Sequence, residues 1–259
     1  MKRTLFFLII CLCLSANAAA QTMSAQDILQ TANERYSDGA YSEAIELYEQ
    51  LLDSCAIRND DKAFVYYNLG NAFFRINETG KSILNYERCL RLQPNNKDAR
   101  YNLKFSQSKI IDNIDDTHTF FLSQWITALR DMVTYRTWMW LSICLFWLCL
   151  IAVIVFLFTQ PVALRKAGFH IAWLSFVLSV CSFAFATAAH DHRNDNTEAI
   201  VMQGIVNVKS SPDRSGTDLF VVHEGTKLRI SDRVGEWVEV HVGDNIGWLR
   251  EDNIERIVN

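Results

Sequence analysis

The chain has 259 residues, a formal net charge of −4 and 50% hydrophobic residues. Residues 22–118 carry 15 acids against 11 bases and residues 191–259 carry 13 against 8, which excludes the basic footprint of a nucleic-acid binder. The apolar excess is concentrated in residues 5–14, 138–158 and 168–189, so the remaining sequence must fold as small separate modules rather than one large domain.

Lys2 and Arg3 precede ten apolar residues and then the small-residue run Ser15-Ala16-Asn17-Ala18-Ala19-Ala20. This layout predicts a secretory signal peptide over residues 1–20, cleaved after Ala18 or Ala20. Ten apolar residues are too few to cross ~30 Å of hydrocarbon. Five of the seven cysteines fall in apolar blocks, which leaves Cys55 and Cys89 facing an exported compartment. Cys89 lies on the apolar side of a predicted helix, where a thiol behaves as a small hydrophobe. Whether it pairs with Cys55 depends on a Cα separation that the sequence does not fix.

Residues 24–112 are predicted to be helical. Within them, residues 63–96 (AFVYYNLGNAFFRINETGKSILNYERCLRLQPNN) carry Tyr66, Leu69-Gly70, Phe73, Ser82, Tyr86 and Pro94 at the spacing of a tetratricopeptide (TPR) repeat. An earlier copy aligns through Ala32, Tyr36, Gly39, Ala44 and Tyr48, with four extra residues near Asp53 to Asp61, and a third begins at Asp98 and fades by Ile114. About two and a half repeats are marginal for a free-standing stack, so a trailing helix is expected to cap it. The resemblance to TPR proteins implies a concave groove lined by Asn33, Tyr67, Asn68, Asn71, Phe74, Tyr101 and Asn102 that binds peptides or helices of other proteins. The competing reading for the aromatics is plain packing. Resemblance to the carboxylate-clamp subtype is incomplete, because Leu29, Asp98 and Asn102 stand where that subtype has basic residues.

Residues 119–136 form an amphipathic segment in which Phe121, Trp125, Leu129 and Met132 recur at helical spacing. It is predicted either to lie along a membrane surface or to pack on the repeats as their last helix. Residues 138–158 and 168–189 contain no charged residue and predict two transmembrane helices. The linker 159–167, with Arg165 and Lys166 and no acid, reads as a cytoplasmic turn. With an exported N-terminus, both flanking modules would then face outward.

From residue 195 to 259 the pattern changes to alternation: Val206/Val208, Leu228/Ile230 and Val238/Val240/Val242, broken by Ser-Pro and Gly-containing turns. Short alternating strands at this spacing predict a small β-barrel. The strings VNVKSSPD, HEGTKLRI, GEWVEV and IGWL resemble the bacterial SH3-like (SH3b) family, which implies recognition of cell-wall peptides or of partner proteins. Trp237 and Trp248 are candidate partner-binding residues. The alternative is that so small a barrel uses its largest side chains in the core.

No phosphate-cradling Gly-rich loop, His-Glu-x-x-His, Gly-x-Ser-x-Gly or paired CxxC occurs in the sequence, so neither enzymatic activity nor a cofactor is expected. The nearest approach to a metal motif is His190-Asp191-His192, whose alternate residues diverge on a helix. The fold class expected is thus a multi-domain membrane protein: an all-α TPR solenoid, a two-helix transmembrane hairpin and an all-β SH3-like barrel. That order, together with FFLSQWITALRDM and TWMWLSICLFWL before and into the first span, resembles the BatE-type TPR proteins of the Bat aerotolerance operon. The resemblance implies an envelope scaffold on the periplasmic face of the plasma membrane, with von Willebrand A-type membrane proteins as partners and a link to oxidative-stress survival. In this reading the hairpin holds two weak binding modules together, so that a partner gripped by one meets the other at high effective concentration. The second reading is a peptidoglycan-binding adaptor that recruits a wall enzyme through the TPR groove.

Overall fold

The structure, a computed structural model, describes residues 24–53, 57, 59–112 and 121–258. The predicted leader, Cys55 and Asp115-Asp116 lie outside the described residues. The chain divides into two compact units at Ile57/Arg58.

The first unit is a helical pair, α1 (Ala25–Ser37) and α2 (Tyr41–Asp53). Ser24 starts α1 through a capping box: its hydroxyl accepts from the Asp27 N–H, and the Asp27 carboxylate accepts from the Ser24 N–H, both at 3.2 Å. Gly39, at φ +80°, turns the chain between the helices where a side chain would be strained. The fully buried Ala32 and Ala44 let the helices approach closely, and the Tyr48 hydroxyl donates to Asn33 Oδ1 at 2.7 Å.

The second unit opens with α3 (Asn59–Arg75), α4 (Thr79–Leu92) and α5 (Lys97–Gln107). Gly70 is required because a Cβ there would stand 2.6 Å from the Tyr86 ring. Ser82, small and fully buried, donates its hydroxyl proton to the Gly70 carbonyl at 2.8 Å. The Tyr86 hydroxyl donates to Asn71 Oδ1 at 2.7 Å, repeating in this pair the Tyr48–Asn33 bond of the first. From Gly80 to Glu87 every α4 residue except Lys81 is buried. A helix at the end of a stack would keep a wet side, so α4 must be covered on its outer side as well.

Next come α6 (Phe121–Arg130), α7 (Tyr135–Phe158) and α8 (Val162–Asn194). The last two form an antiparallel pair, each long and apolar enough to cross a membrane. Their contact is a seam of small residues: Ser142, Cys149 and Ala152 on α7, and Gly168, Ser175, Ser179, Ser182 and Ala186 on α8. Ser142 and Ser179 each donate to the other's main-chain carbonyl, at 3.0 and 2.9 Å, which satisfies both hydroxyls in an apolar setting. Pro161, with no N–H to leave unpaired, stands at the N-cap of α8. Residues 162–167 are therefore already helical, and the turn shortens from the nine residues expected to 159–161.

Seven antiparallel strands complete the unit: β1 (Glu198–Val201), β2 (Ile205–Lys209), β3 (Asp218–His223), β4 (Lys227–Val234), β5 (Trp237–Val242), β6 (Asn245–Arg250) and β7 (Ile254–Arg256). Their order is β3-β2-β6-β5-β4-β1-β7. The expected barrel is thus corrected to an open sheet, because β3 and β7 are its two edges and do not pair. Val206, Val208, Val222, Leu228, Ile230, Val238, Val240 and Leu249 make its core. At the β7 end, Ile200 and Ile257 leave that core and join Ile83, Leu84, Tyr86 and Leu103 of the repeat helices. A helix, not a strand, shields this end of the sheet. The same contact corrects a second expectation: the sheet, and not a trailing helix alone, covers the last repeat.

Gly225 sits where the two modules meet, at φ +87°, and a Cβ there would lie 2.7 Å from Ile110 Cγ2 and 3.0 Å from Ile83 Cδ1. Gly225→Ala is expected to destabilise the second unit by about 2–4 kcal/mol, from left-handed backbone strain plus overpacking. A lowered midpoint in thermal unfolding of the purified chain checks this, with Gly204→Ala, open on all sides, as the control.

Candidate interaction surfaces

The outer side of α4 presents Gly80, Glu87, Arg88 and Arg91 to the sheet. The Gly80 N–H donates to Glu224 Oε1 at 2.7 Å. Arg88 donates to the Ile257 and Arg256 carbonyls at 3.2 and 3.0 Å and to Glu255 at 2.9 Å. Arg91, only 4% exposed at its side chain, donates to Glu198 of β1 and to the His192 carbonyl at the end of α8. Lys227 of β4 bridges the carboxylates of Glu198 and Glu87 at 2.7 and 3.2 Å. Asp112 closes the other end of the contact: it accepts from the His223 N–H and the Thr226 hydroxyl, both at 2.7 Å, with His223 Nδ1 also at 2.7 Å.

Burial alone would raise the Glu198 carboxyl, but Lys227 and then Arg91 outweigh it and hold the pKa below its ordinary 4.5. Asp112 is likewise pulled below 3.8, against burial, by the bonds from Thr226 and His223. Within the second unit, the sheet and the α3–α5 helices are therefore joined by their own charged contact, in addition to the chain of the hairpin.

What docking leaves open is the α3/α5 side of the repeats. There Asn102 Nδ2 donates to Asn71 Oδ1 at 2.9 Å, the atom that also accepts from Tyr86. Phe74 lies against Phe105, with ring centres 5.6 Å apart, and the Lys109 ammonium stands 4.2 Å from the Phe74 ring centre. Tyr101 is 72% exposed and Phe105 is exposed beside it. Asn68 is half-buried. Tyr67 is partly buried, its ring 6.3 Å from that of Tyr86, so it belongs more to the packing than to the surface. Asn33 occupies the equivalent of Asn71 in the first unit, where the Tyr48 hydroxyl fixes its carboxamide. Phe105 and Lys109 were not foreseen, although Phe105 follows Asn71 by one 34-residue period and the repeat spacing could have found it.

On the sheet, Trp237 and Trp248 are half-buried and point away from the core. Glu239 pairs with Trp248 and Trp237 with Arg250, which puts both indoles on one face as diagonal neighbours, while Val238, Val240 and Leu249 fill the other. The core reading of these tryptophans is corrected. The signal was available, since Trp237 is out of phase with the Val238/Val240/Val242 alternation.

Two other sequence features acquire partners. His192 Nδ1 lies 3.2 Å from the Arg91 guanidinium, a poor companion for a metal cation, and His190 Nε2 faces Asn194. Among the described residues, no group of three His, Cys, Asp or Glu is placed to hold a metal. Cys89 is fully buried beside Ala63 and Ala99, and burial pushes its thiol up to about 12, which leaves it unreactive at neutral pH.

Compared with known families, residues 65–96 match the tetratricopeptide repeat and residues 204–255 match the bacterial SH3 domain. No curated protein matches the chain. The arrangement thus joins a helical module of a protein-interaction type to a sheet of a type found in the bacterial cell envelope, with two apolar helices between them.

Arg91→Gln removes one cation from a buried cluster and is expected to cost about 3–5 kcal/mol, read as a lowered thermal midpoint and as faster protease cleavage between α8 and β1. The depressed Glu198 and Asp112 contribute stability that is fully present above their ordinary values of 4.5 and 3.8 and is lost as the pH falls through their lower folded values. Burial and then the Arg91 guanidinium also push His192 down from 6.5 to about 4, so unfolding midpoints should be level above about pH 7 and fall progressively below it. Glu198→Gln should be less stable than the parent at pH 7 and lose less on acidification.

Proposed function

We propose that this chain is a non-catalytic, membrane-anchored interaction scaffold of the bacterial envelope, whose α3/α5 surface grips a segment of another envelope protein. One observation carries the reading: the sheet docks on the back of α4 and leaves Tyr101 and Phe105 exposed beside the half-buried Asn71/Asn102 pair. Side-chain amides suit a peptide backbone, and the Phe74/Phe105/Lys109 cluster suits an apolar side chain. The two apolar helices support anchorage. The α4–β1 contact supports a topology with both modules on one side of the bilayer, since the segments flanking the hairpin meet. The predicted leader supports the periplasm as that side. Resemblance to BatE-type proteins supports membership of an envelope complex with von Willebrand A-type partners and a role in aerotolerance.

The experiment is gentle extraction of the tagged chain with identification of what co-purifies. Tyr101→Ala combined with Phe105→Ala is expected to reduce recovery of a defined membrane partner at least tenfold, corresponding to about 1.4 kcal/mol. Both side chains are exposed, so the thermal midpoint should hold. Unchanged recovery would remove this surface from the reading.

The outward Trp237/Trp248 face favours a second reading, in which the sheet binds peptidoglycan and the repeats recruit a wall enzyme. Purified cell wall should then sediment the detergent-solubilised chain, and Trp248→Ala should abolish the sedimentation.

A further inference from the structure

The helix α6 meets the rest of the second unit near its C-terminal end, where it approaches α7 and α8. It has ten residues, Phe121–Arg130, and its residues 123–129 are all exposed. A lone helix of that length is marginal in water, where isolated helices need ~12–15 residues even with favourable sequences. Its sequence is also sharply two-sided. Trp125, Ile126 and Leu129, with Met132 just beyond, share one side, whereas Ser123, Gln124 and Thr127 share the other. Trp125 is 74% and Met132 66% exposed, a degree that packing on the repeats would not leave.

The surroundings of α6 indicate what covers that side. Only residues 131–134 separate it from α7, and the Trp138 indole N–H donates to the Arg130 carbonyl at 3.0 Å, which closes the corner between the two helices. Arg130 is neutralised by Asp131 at 2.7 Å. Around the corner lie Tyr135, Arg136, His190 and Arg193: the Tyr135 ring centre is 5.4 Å from that of His190 and 5.2 Å from the Arg193 guanidinium. Aromatic and basic residues gathered at one end of an apolar helix pair mark the level where hydrocarbon gives way to water. The corner places α6 at that level.

We propose that α6 is an in-plane lipid-binding helix, seated at the boundary between acyl chains and headgroups on the side of the membrane where α7 begins. It carries no charge before Arg130, and that residue is paired, so its occupant is the apolar boundary region itself and not an anionic headgroup. Through the Arg130–Trp138 bond it sets the depth at which α7 enters the bilayer. This inference rests on the membrane reading of α7 and α8.

The test uses the full chain in phosphatidylcholine nanodiscs, with a nitroxide side chain genetically encoded at one exposed position at a time. Collision with oxygen reports lipid, and collision with a water-soluble nickel chelate reports solvent. Labels replacing Trp125, Leu129 and Met132 are expected to favour oxygen, and labels replacing Gln124 and Thr127 the nickel chelate, with the same pattern when a third of the lipid is anionic. A label replacing Trp147, mid-way along α7, separates the two claims. If it favours oxygen while those at Trp125 and Leu129 favour nickel, α6 lies in water and the inference falls alone. If the labels at Trp125 and Leu129 meet neither reagent, a protein surface covers the helix and the inference is again overturned. If the label at Trp147 favours nickel, the hairpin is not in lipid and both claims fall.

Discussion

The whole second unit depends on a guanidinium taken out of water. Arg91 lies on the side of α4 that faces away from α3, and its burial is offset by hydrogen bonds from its two terminal nitrogens to the end of α8 and to Glu198, while Lys227 balances the second carboxylate, Glu87. These groups come from four elements: a repeat helix, the end of an apolar helix and two strands of the sheet. A cluster of this kind costs desolvation energy and gains specificity of arrangement. Ile83, Leu84, Ile200 and Ile257 beside it supply the apolar burial that gives the contact its strength. The charges set the angle and register at which those apolar surfaces meet.

The contact also changes what the two modules can do. A module joined to its neighbour only by flexible chain samples many orientations, and a partner bound by both must restrict them at an entropic cost. Here that cost is met in folding, because Arg88, Asp112 and Gly80 hold the sheet at three further points along the repeat. The α3/α5 side and the Trp237/Trp248 face are therefore held in a fixed relation within the second unit. The recurring tyrosine–asparagine bond has the same effect on a smaller scale. It fixes Asn71 in the orientation from which it also accepts the Asn102 amide, so part of what looked like a binding residue is a positioning device.

Sequence reading recovered what depends on short spacing. Gly70 and Ser82 lie twelve residues apart, the serines of the hairpin fall within uninterrupted apolar runs, and Val238, Val240 and Val242 alternate, so periodicity finds all of these. It could not find contacts such as Arg88 with Ile257 or Arg91 with Glu198, whose partners lie 169 and 107 residues apart. On α4 alone, Glu87, Arg88 and Arg91 read as an ordinary solvated face. Only the docked sheet shows that they are the opposite. Closure of the sheet was illegible for a related reason: β7 is three residues long, and its place beside β1 is decided by the helix on which Ile257 rests.

The position of these partners in the chain has a consequence for biosynthesis. The outer side of α4 is complete in the nascent chain long before β1, β4 and β7 are made, and the two apolar helices are made between the two events. Until the last few residues are made, Ile83 and Leu84 lack Ile200 and Ile257, and Arg91 lacks Glu198. A truncated chain therefore displays an uncovered apolar and charged helix to the proteases and chaperones around it. Completion of the sheet is thereby read out at a distance, by whether the first module to be made can finish folding.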